Sequence, residues 1–235
     1  MPYDIALPQK RIEVISPNKI SATQGKVWWQ EGFESNVLKF SAGAIANTAT
    51  FIRTGAYALS VTSAGAGPWI TAPATKVIGL TEAFTNTKVG VEFYMLTTKV
   101  TTAAGGVASA GLDYFKIVDG TTENRIGVQI LFGAAAADAK LQYVDSANAW
   151  ADVPGGSLIG ADGYYHRIKI VCNPVTKEYL YIEYDNKRYD MAGIAFRSVA
   201  ALLSYQTYLK FEVTGIDATT ADMWIDDITI TTDEP

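Results

Sequence analysis

Asp162-Gly163-Tyr164-Tyr165-His166-Arg167-Ile168-Lys169-Ile170-Val171-Cys172 holds the pattern that decides the fold. Asp162-Gly163 is a turn signal. Behind it, Ile168, Ile170 and Cys172 alternate with Arg167, Lys169 and Val171. A period of two sends the first set to one face of a strand and the second set to the other. The same alternation recurs in Val89, Val91, Phe93 and Met95, in Ile126, Val128, Ile130 and Phe132, and in Leu209, Phe211 and Val213. Tyr57, Leu59 and Val61 form a shorter set. Asp119-Gly120, Pro154-Gly155-Gly156, Asn173-Pro174 and Asp185-Asn186 separate these runs. Helix signals are few: Ile194 to Tyr205 reads either as a short helix or as a loop over a sheet edge. Successive strands with one apolar face predict an all-β, two-sheet antiparallel β-sandwich. Its expected core holds Ile168, Ile170, Leu209, Phe211, Val91, Phe93, Val128 and Ile130.

The composition suits such a fold. Of 235 residues, 49% are hydrophobic and 18% charged, which excludes a disordered chain. The net charge of -5 comes without a basic block, so no nucleic-acid partner is expected. No apolar stretch reaches a membrane-spanning length, so no membrane partner is expected either. Cys172 is the one cysteine and His166 the one histidine, which excludes an intrachain disulfide and a histidine-rich zinc site. His166 shares the parity of Ile168 and reads as a satisfied histidine facing the core. No nucleotide-binding glycine loop and no G-x-S-x-G elbow is present.

Two stretches break the strand pattern. Residues 1–30 carry Pro2, Pro8 and Pro17 around Arg11-Ile12-Glu13-Val14-Ile15 and read as an extended N-terminal arm before a sandwich at 31–235. Such an arm adds to a sheet edge, in its own sandwich or on a neighbouring subunit. Residues 98–111 are small and nearly uncharged, which predicts a long loop.

Several motifs, in order, resemble the concanavalin A-like jelly roll of laminin G-type and related lectin-like domains. Gly32-Phe33-Glu34 is similar to the opening "FE" of such modules. Gly55-Ala56-Tyr57-Ala58-Leu59-Ser60-Val61 is similar to their "G-x-Y-A-L-x-V" strand. Tyr114 to Gly120 resembles the strand and turn before the central hairpins, and Asp162 to Ile170 resembles "G-x-W-H-x-I-x-I", with Tyr165 at the Trp position. Tyr179 to Asn186 resembles its hairpin partner, and Met223 to Ile230 the closing "x-I-D-D-I-x-I". Jelly-roll carbohydrate-binding modules share the opening and closing motifs. By this resemblance Glu34 and Asp226 are candidates for a structural calcium ion, with Asp227 as substitute if a bulge shifts the strand. The alternative is that Asp226 caps backbone amides at a sheet edge, with no cofactor bound.

Glu183 and Asp185 fall two apart on a strand, as in the E-x-D-x-x-E of glucanases with this sandwich, but Arg188 stands at the third position. The set is incomplete, and no enzymatic activity is expected. Trp69, Trp150, Tyr179, Tyr181 and Glu183 are the candidate carbohydrate-binding residues, the last three on one strand face. The opening Met1 to Pro8 does not read as a signal peptide. With a mild, Ala- and Thr-rich surface, this suggests a non-enzymatic structural component of a virus particle, a phage capsid decoration or tail-associated protein. Its partners would be other virion subunits, or its own copies through the arm. The alternative is an extracellular carbohydrate-binding module or lectin that recognises a polysaccharide through surface aromatics.

Overall fold

A computed structural model describes residues 25–235 apart from 36, 38, 42–43, 64–70, 80–87, 98–106, 119, 133–138, 159–162, 201–205 and 216–220. The described strands are β1 Lys26–Glu31, β2 Ala44–Thr48, β3 Ala58–Ser63, β4 Thr71–Gly79, β5 Val89–Thr97, β6 Val107–Val118, β7 Thr122–Leu131 and β8 Ala139–Val144. They continue as β9 Trp150–Leu158, β10 His166–Asn173, β11 Glu178–Tyr184, β12 Lys187–Asp190, β13 Arg197–Ala200, β14 Gln206–Gly215 and β15 Ala221–Thr232. The first sheet runs β12-β11-β10-β5-β15-β3-β2, with β1 also on β15; the second runs β4-β14-β6-β7-β8-β9, with β13 also on β7. All strand pairs are antiparallel. The chain is therefore an all-β, two-sheet antiparallel sandwich.

The alternating residues meet between the sheets as expected. Val91, Phe93, Ile168 and Ile170 of the first sheet and Val128, Ile130, Leu209 and Phe211 of the second are all buried in one core. Phe93 meets Phe211 edge-on, with ring centroids 5.0 Å apart.

Two bulges set which residues face outward. In β11, Tyr181 pairs with Val171 but Tyr179 with Cys172, so Leu180 is the extra residue. The strand switches parity there. Tyr179 turns into the core, while Tyr181 and Glu183 keep the outer face, so the three do not share a face as expected. In β15, Asp226 pairs with Tyr94 and Thr229 with Glu92, leaving Asp227 and Ile228 opposite Phe93. Met223, Ile225, Ile228 and Ile230 all reach the core, whereas Trp224 and Asp226 lie on the outer parity. A regular strand would have turned Asp226 inward with Ile228.

Two further stretches differ from the sequence reading. Val107 to Gly111, expected in a loop, belong to β6. Alanines and glycine give no hydrophobic period, yet close packing demands them: a Cβ on Gly111 would stand 2.4 Å from the Val128 carbonyl oxygen. Arg197–Ala200, within the expected helix or loop, is a strand on the part of β7 that β8 leaves unpaired. Lys26–Glu31 overlaps the expected arm and pairs with β15. Residues 1–24, with Arg11 to Ile15, lie outside the described residues.

The C-terminus closes over the first sheet. The Glu234 carboxylate lies fully buried against Lys169 Nζ at 2.9 Å and accepts hydrogen bonds from the Tyr181 and Thr231 hydroxyls.

Candidate functional site

The outer face of the first sheet is built from the polar half of each alternation. β5 contributes Glu92 and Tyr94, β10 contributes Arg167 and Lys169, and β11 contributes Tyr181 and Glu183. Arg167 sits at the centre. Its Nη2 donates to Glu92 at 2.8 Å and its Nη1 to Glu183 at 2.9 Å and to the Asp185 carbonyl at 3.4 Å. These contacts push the guanidinium pKa above its ordinary value, the Glu92 hydrogen bond most of all.

The β11–β12 hairpin turns on Asp185 and Asn186. Asp185 has φ 53°, a left-handed conformation that aspartate tolerates better than most residues. Its backbone N–H donates to the Arg167 carbonyl at 2.7 Å. Its carboxylate turns back to accept from the Arg167 N–H at 2.9 Å and to meet His166 Nδ1 at 2.8 Å. The imidazole also stacks on Tyr184, with centroids 4.9 Å apart. His166 is thus a satisfied histidine, but it stands at the mouth of β10 rather than deep in the core.

The segment Ala49 to Tyr57 lies over β15 and β5 on this same face. Phe51 packs on Trp224 at 4.7 Å, and the Arg53 guanidinium covers the Tyr94 ring at 3.4 Å. The Tyr165 hydroxyl donates to the Phe51 carbonyl. Burial pushes the Tyr165 pKa far above its ordinary value, with Asp226 and Asp227 adding to the effect, so the phenol keeps its proton. Between this segment and the hairpin lies an open cleft of about 470 Å³, lined by Tyr94, Tyr164, Tyr165, His166, Arg167, Asp185 and Asn186. Tyr164 is 72% exposed on its rim, and Phe51 nearby is 46% exposed.

Asp226 shows what holds the Ala49–Tyr57 segment down. Its Oδ2 accepts from the Arg53 N–H at 3.0 Å and the Thr54 N–H at 3.2 Å, and its Oδ1 from the Asp227 N–H at 2.9 Å. Asp227 binds the Arg53 guanidinium and the Thr54 hydroxyl. Glu34 is exposed and rests against Gly55, where a Cβ would come within 2.6 Å of its carboxylate. A calcium shell wants six to eight oxygens. The donors to Asp226 are three backbone N–H groups, the pattern of a capped carboxylate. Among the described residues no group of three or more acidic, histidine or cysteine side chains is placed to hold a metal. A chelator is therefore expected to leave the melting temperature unchanged; a fall of several degrees, restored by added calcium, would contradict amide capping as the role of Asp226.

Burial pushes the Asp226 carboxyl up to about 6 from 3.8, and Asp227 adds to this against the pull of the backbone amides. The folded state then holds a proton that the unfolded chain has lost between about pH 4 and 6. The contribution of Asp226 to stability falls as pH rises through that window. Urea melts between pH 4 and 7 should show wild type losing stability relative to Asp226→Asn as pH rises. Parallel curves for the two proteins would contradict this.

Of the residues singled out from sequence, Glu183 adjoins the cleft through Arg167. Tyr179 is fully buried, its hydroxyl donating to the Val144 carbonyl at 2.7 Å and accepting from the Gly127 N–H. It is a core residue and offers no face to a ligand. Tyr181 is buried beneath the Arg188 guanidinium, 3.5 Å from its ring centre. Trp150 is half-buried on β9, at the edge of the other sheet. Trp69 lies outside the described residues. Tyr94, Tyr164, Phe51 and Asn186 carry no binding signal in the sequence, although Tyr165 stands at a family Trp position.

No protein-family model matches the sequence, and no curated protein matches it. Solved structures do match. A carbohydrate esterase from a Shiga toxin-encoding bacteriophage superposes with a TM-score of 0.60 at 16% identity, over 90% of this chain and 100% of the other. Basic winged bean lectin gives 0.52 at 10% identity over 87% and 97% of the two chains. The carbohydrate recognition domain of Emp47p gives 0.53 at 6% identity over 90% and 98%. The fold is a lectin-like jelly-roll sandwich. At such identities the likeness concerns the fold alone.

Proposed function

We propose that this lectin-like sandwich is a non-enzymatic glycan-binding protein carried on a virus particle, with the Tyr164 cleft as its sugar site. The observation that carries the reading is the exposed Tyr164 ring beside the polar Asn186, Asp185 and His166 in an open cleft. Sugar rings lay their C–H faces on aromatic rings, while hydroxyls need fixed polar partners, and concave sites combine both. The non-enzymatic reading is supported by how the two carboxylates of the glucanase-like spacing are spent. Glu183 is tied to Arg167, and Asp185 holds the hairpin and His166. A glycosidase needs one carboxyl to carry a transferable proton and the other to act as nucleophile or base.

Binding to soluble polysaccharides, measured by affinity electrophoresis and calorimetry, tests the site. Tyr164→Ala should weaken binding about tenfold, ~1.4 kcal/mol, and leave the melting temperature unchanged. Equal binding by the variant would refute the cleft as the site, and release of sugar or acetate from a bound glycan would refute the non-enzymatic reading. The place on a particle draws support from the fold shared with the full length of a phage-encoded chain. Mass spectrometry of purified particles from the source tests it, and absence of the chain from them would leave an extracellular module instead.

A further inference from the structure

We infer that the cleft selects uncharged glycans and rejects anionic ones, because the one guanidinium that lines it among the described residues is spent on carboxylates. This rests on the glycan-binding reading and deepens it. Arg167 is the cation that an acidic sugar would need among the lining residues. Arginine binds carboxylates through a planar fork of N–H donors. Here Glu92 takes Nη2, while Glu183 and the Asp185 carbonyl take Nη1. All three side chains of this clamp are about three-quarters buried, so water screens it little.

The surrounding charge points the same way. Asp185 lines the cleft with its carboxylate 41% exposed. Glu92 and Glu183 flank the Arg167 guanidinium, while Arg188, the cross-strand partner of Glu183, lies on the Tyr181 ring outside the cleft lining. On the neighbouring segment, Arg53 is held by Asp227 and by the Tyr94 ring. An incoming sugar carboxylate or sulfate would meet the repulsive field of the Asp185 carboxylate and, in Arg167, a donor fork already occupied. A neutral sugar loses nothing to this field, and its hydroxyls can both donate to Asp185 and bond to the Asn186 amide. Specificity of this kind is a difference of affinities produced by a repulsive element.

The test compares neutral polymers (dextran, galactan, mannan, β-glucan) with anionic ones (alginate, polygalacturonate, polysialic acid, hyaluronan), at low and high salt. At low salt the best neutral polymer should bind at least about tenfold tighter than any anionic one. Glu92→Gln combined with Glu183→Gln leaves the Arg167 charge without its two carboxylates, held only by weaker neutral acceptors that an anion can displace, and should create anionic-polymer binding that fades with salt, while Glu92→Gln alone should give a smaller gain. Circular dichroism and melting of each variant establish that it is folded. Anionic binding by wild type that Tyr164→Ala abolishes would overturn the selectivity and leave the glycan reading standing. Failure of both folded Gln variants to gain anionic binding would also overturn it. Failure of wild type to bind any polymer would overturn the glycan reading itself.

Discussion

Phe211→Ala should destabilise the sandwich by about 3–5 kcal/mol. Phe211 is fully buried on β14 and meets Phe93 of the opposite sheet and Phe40 of the segment after β1. Removing its ring takes away transfer energy and leaves a cavity between two sheets whose backbones are held by ladders on both sides. Those ladders keep the site from collapsing, which places the cost at the upper end for a core deletion. Urea unfolding followed by fluorescence measures it. A loss below about 1 kcal/mol would mean that Phe211 does not bridge the sheets.

Glu234→Ala should cost a similar amount, about 3–5 kcal/mol, although it lies next to the last residue of the chain. The substitution leaves the Lys169 ammonium, 6% exposed, without its carboxylate on the outer face of β10. It also removes the acceptor of the Tyr181 and Thr231 hydroxyls. An uncompensated buried charge is far more costly than the net worth of the pair that it came from. Gly90 is part of the same arrangement, since a Cβ there would come within 2.6 Å of both Glu234 Oε1 and Thr231 Oγ1. Gly90→Ala should therefore destabilise by the same route, and Glu234→Ala should cost little more once Gly90 is alanine. Additive losses would show that the two act separately.

The core was legible because it depends on a period of two, and β5, β7, β10 and β14 keep that period without interruption at the residues named. The outer face was less legible because bulges break the period. Leu180 moved Tyr179 inward, and Asp227 with Ile228 moved Asp226 outward. The β15 bulge belongs to a tertiary arrangement: Asp226 must face outward to cap Arg53 and Thr54, some 170 residues earlier in the chain. No local pattern reports such a contact. The start of β6 was missed for a different reason. Its strand is specified by how closely backbones approach at Gly111, and small residues leave no hydrophobic mark.

The cleft itself was the least legible feature. It joins Tyr94 from β5, Tyr164 to Arg167 at the start of β10, and the Asp185-Asn186 turn, beside the Ala49–Tyr57 segment. Each piece was visible as a strand or turn, and the Glu183–Asp185 spacing drew attention to the right hairpin. By itself that spacing resembles a catalytic pattern. In the folded chain the two carboxylates serve to hold Arg167 and His166, which shapes the wall of the cleft.

The most direct measurement of the central claim is amide chemical-shift mapping of isotopically labelled protein titrated with oligosaccharides from a polymer that it binds. Saturable shifts are expected at Tyr164 to Arg167, at Tyr184 to Lys187 and around Phe51 to Thr54, all needing about tenfold more oligosaccharide in Tyr164→Ala. Shifts confined to the outer face of the second sheet, around Tyr114, Arg125 and Lys210, would contradict it.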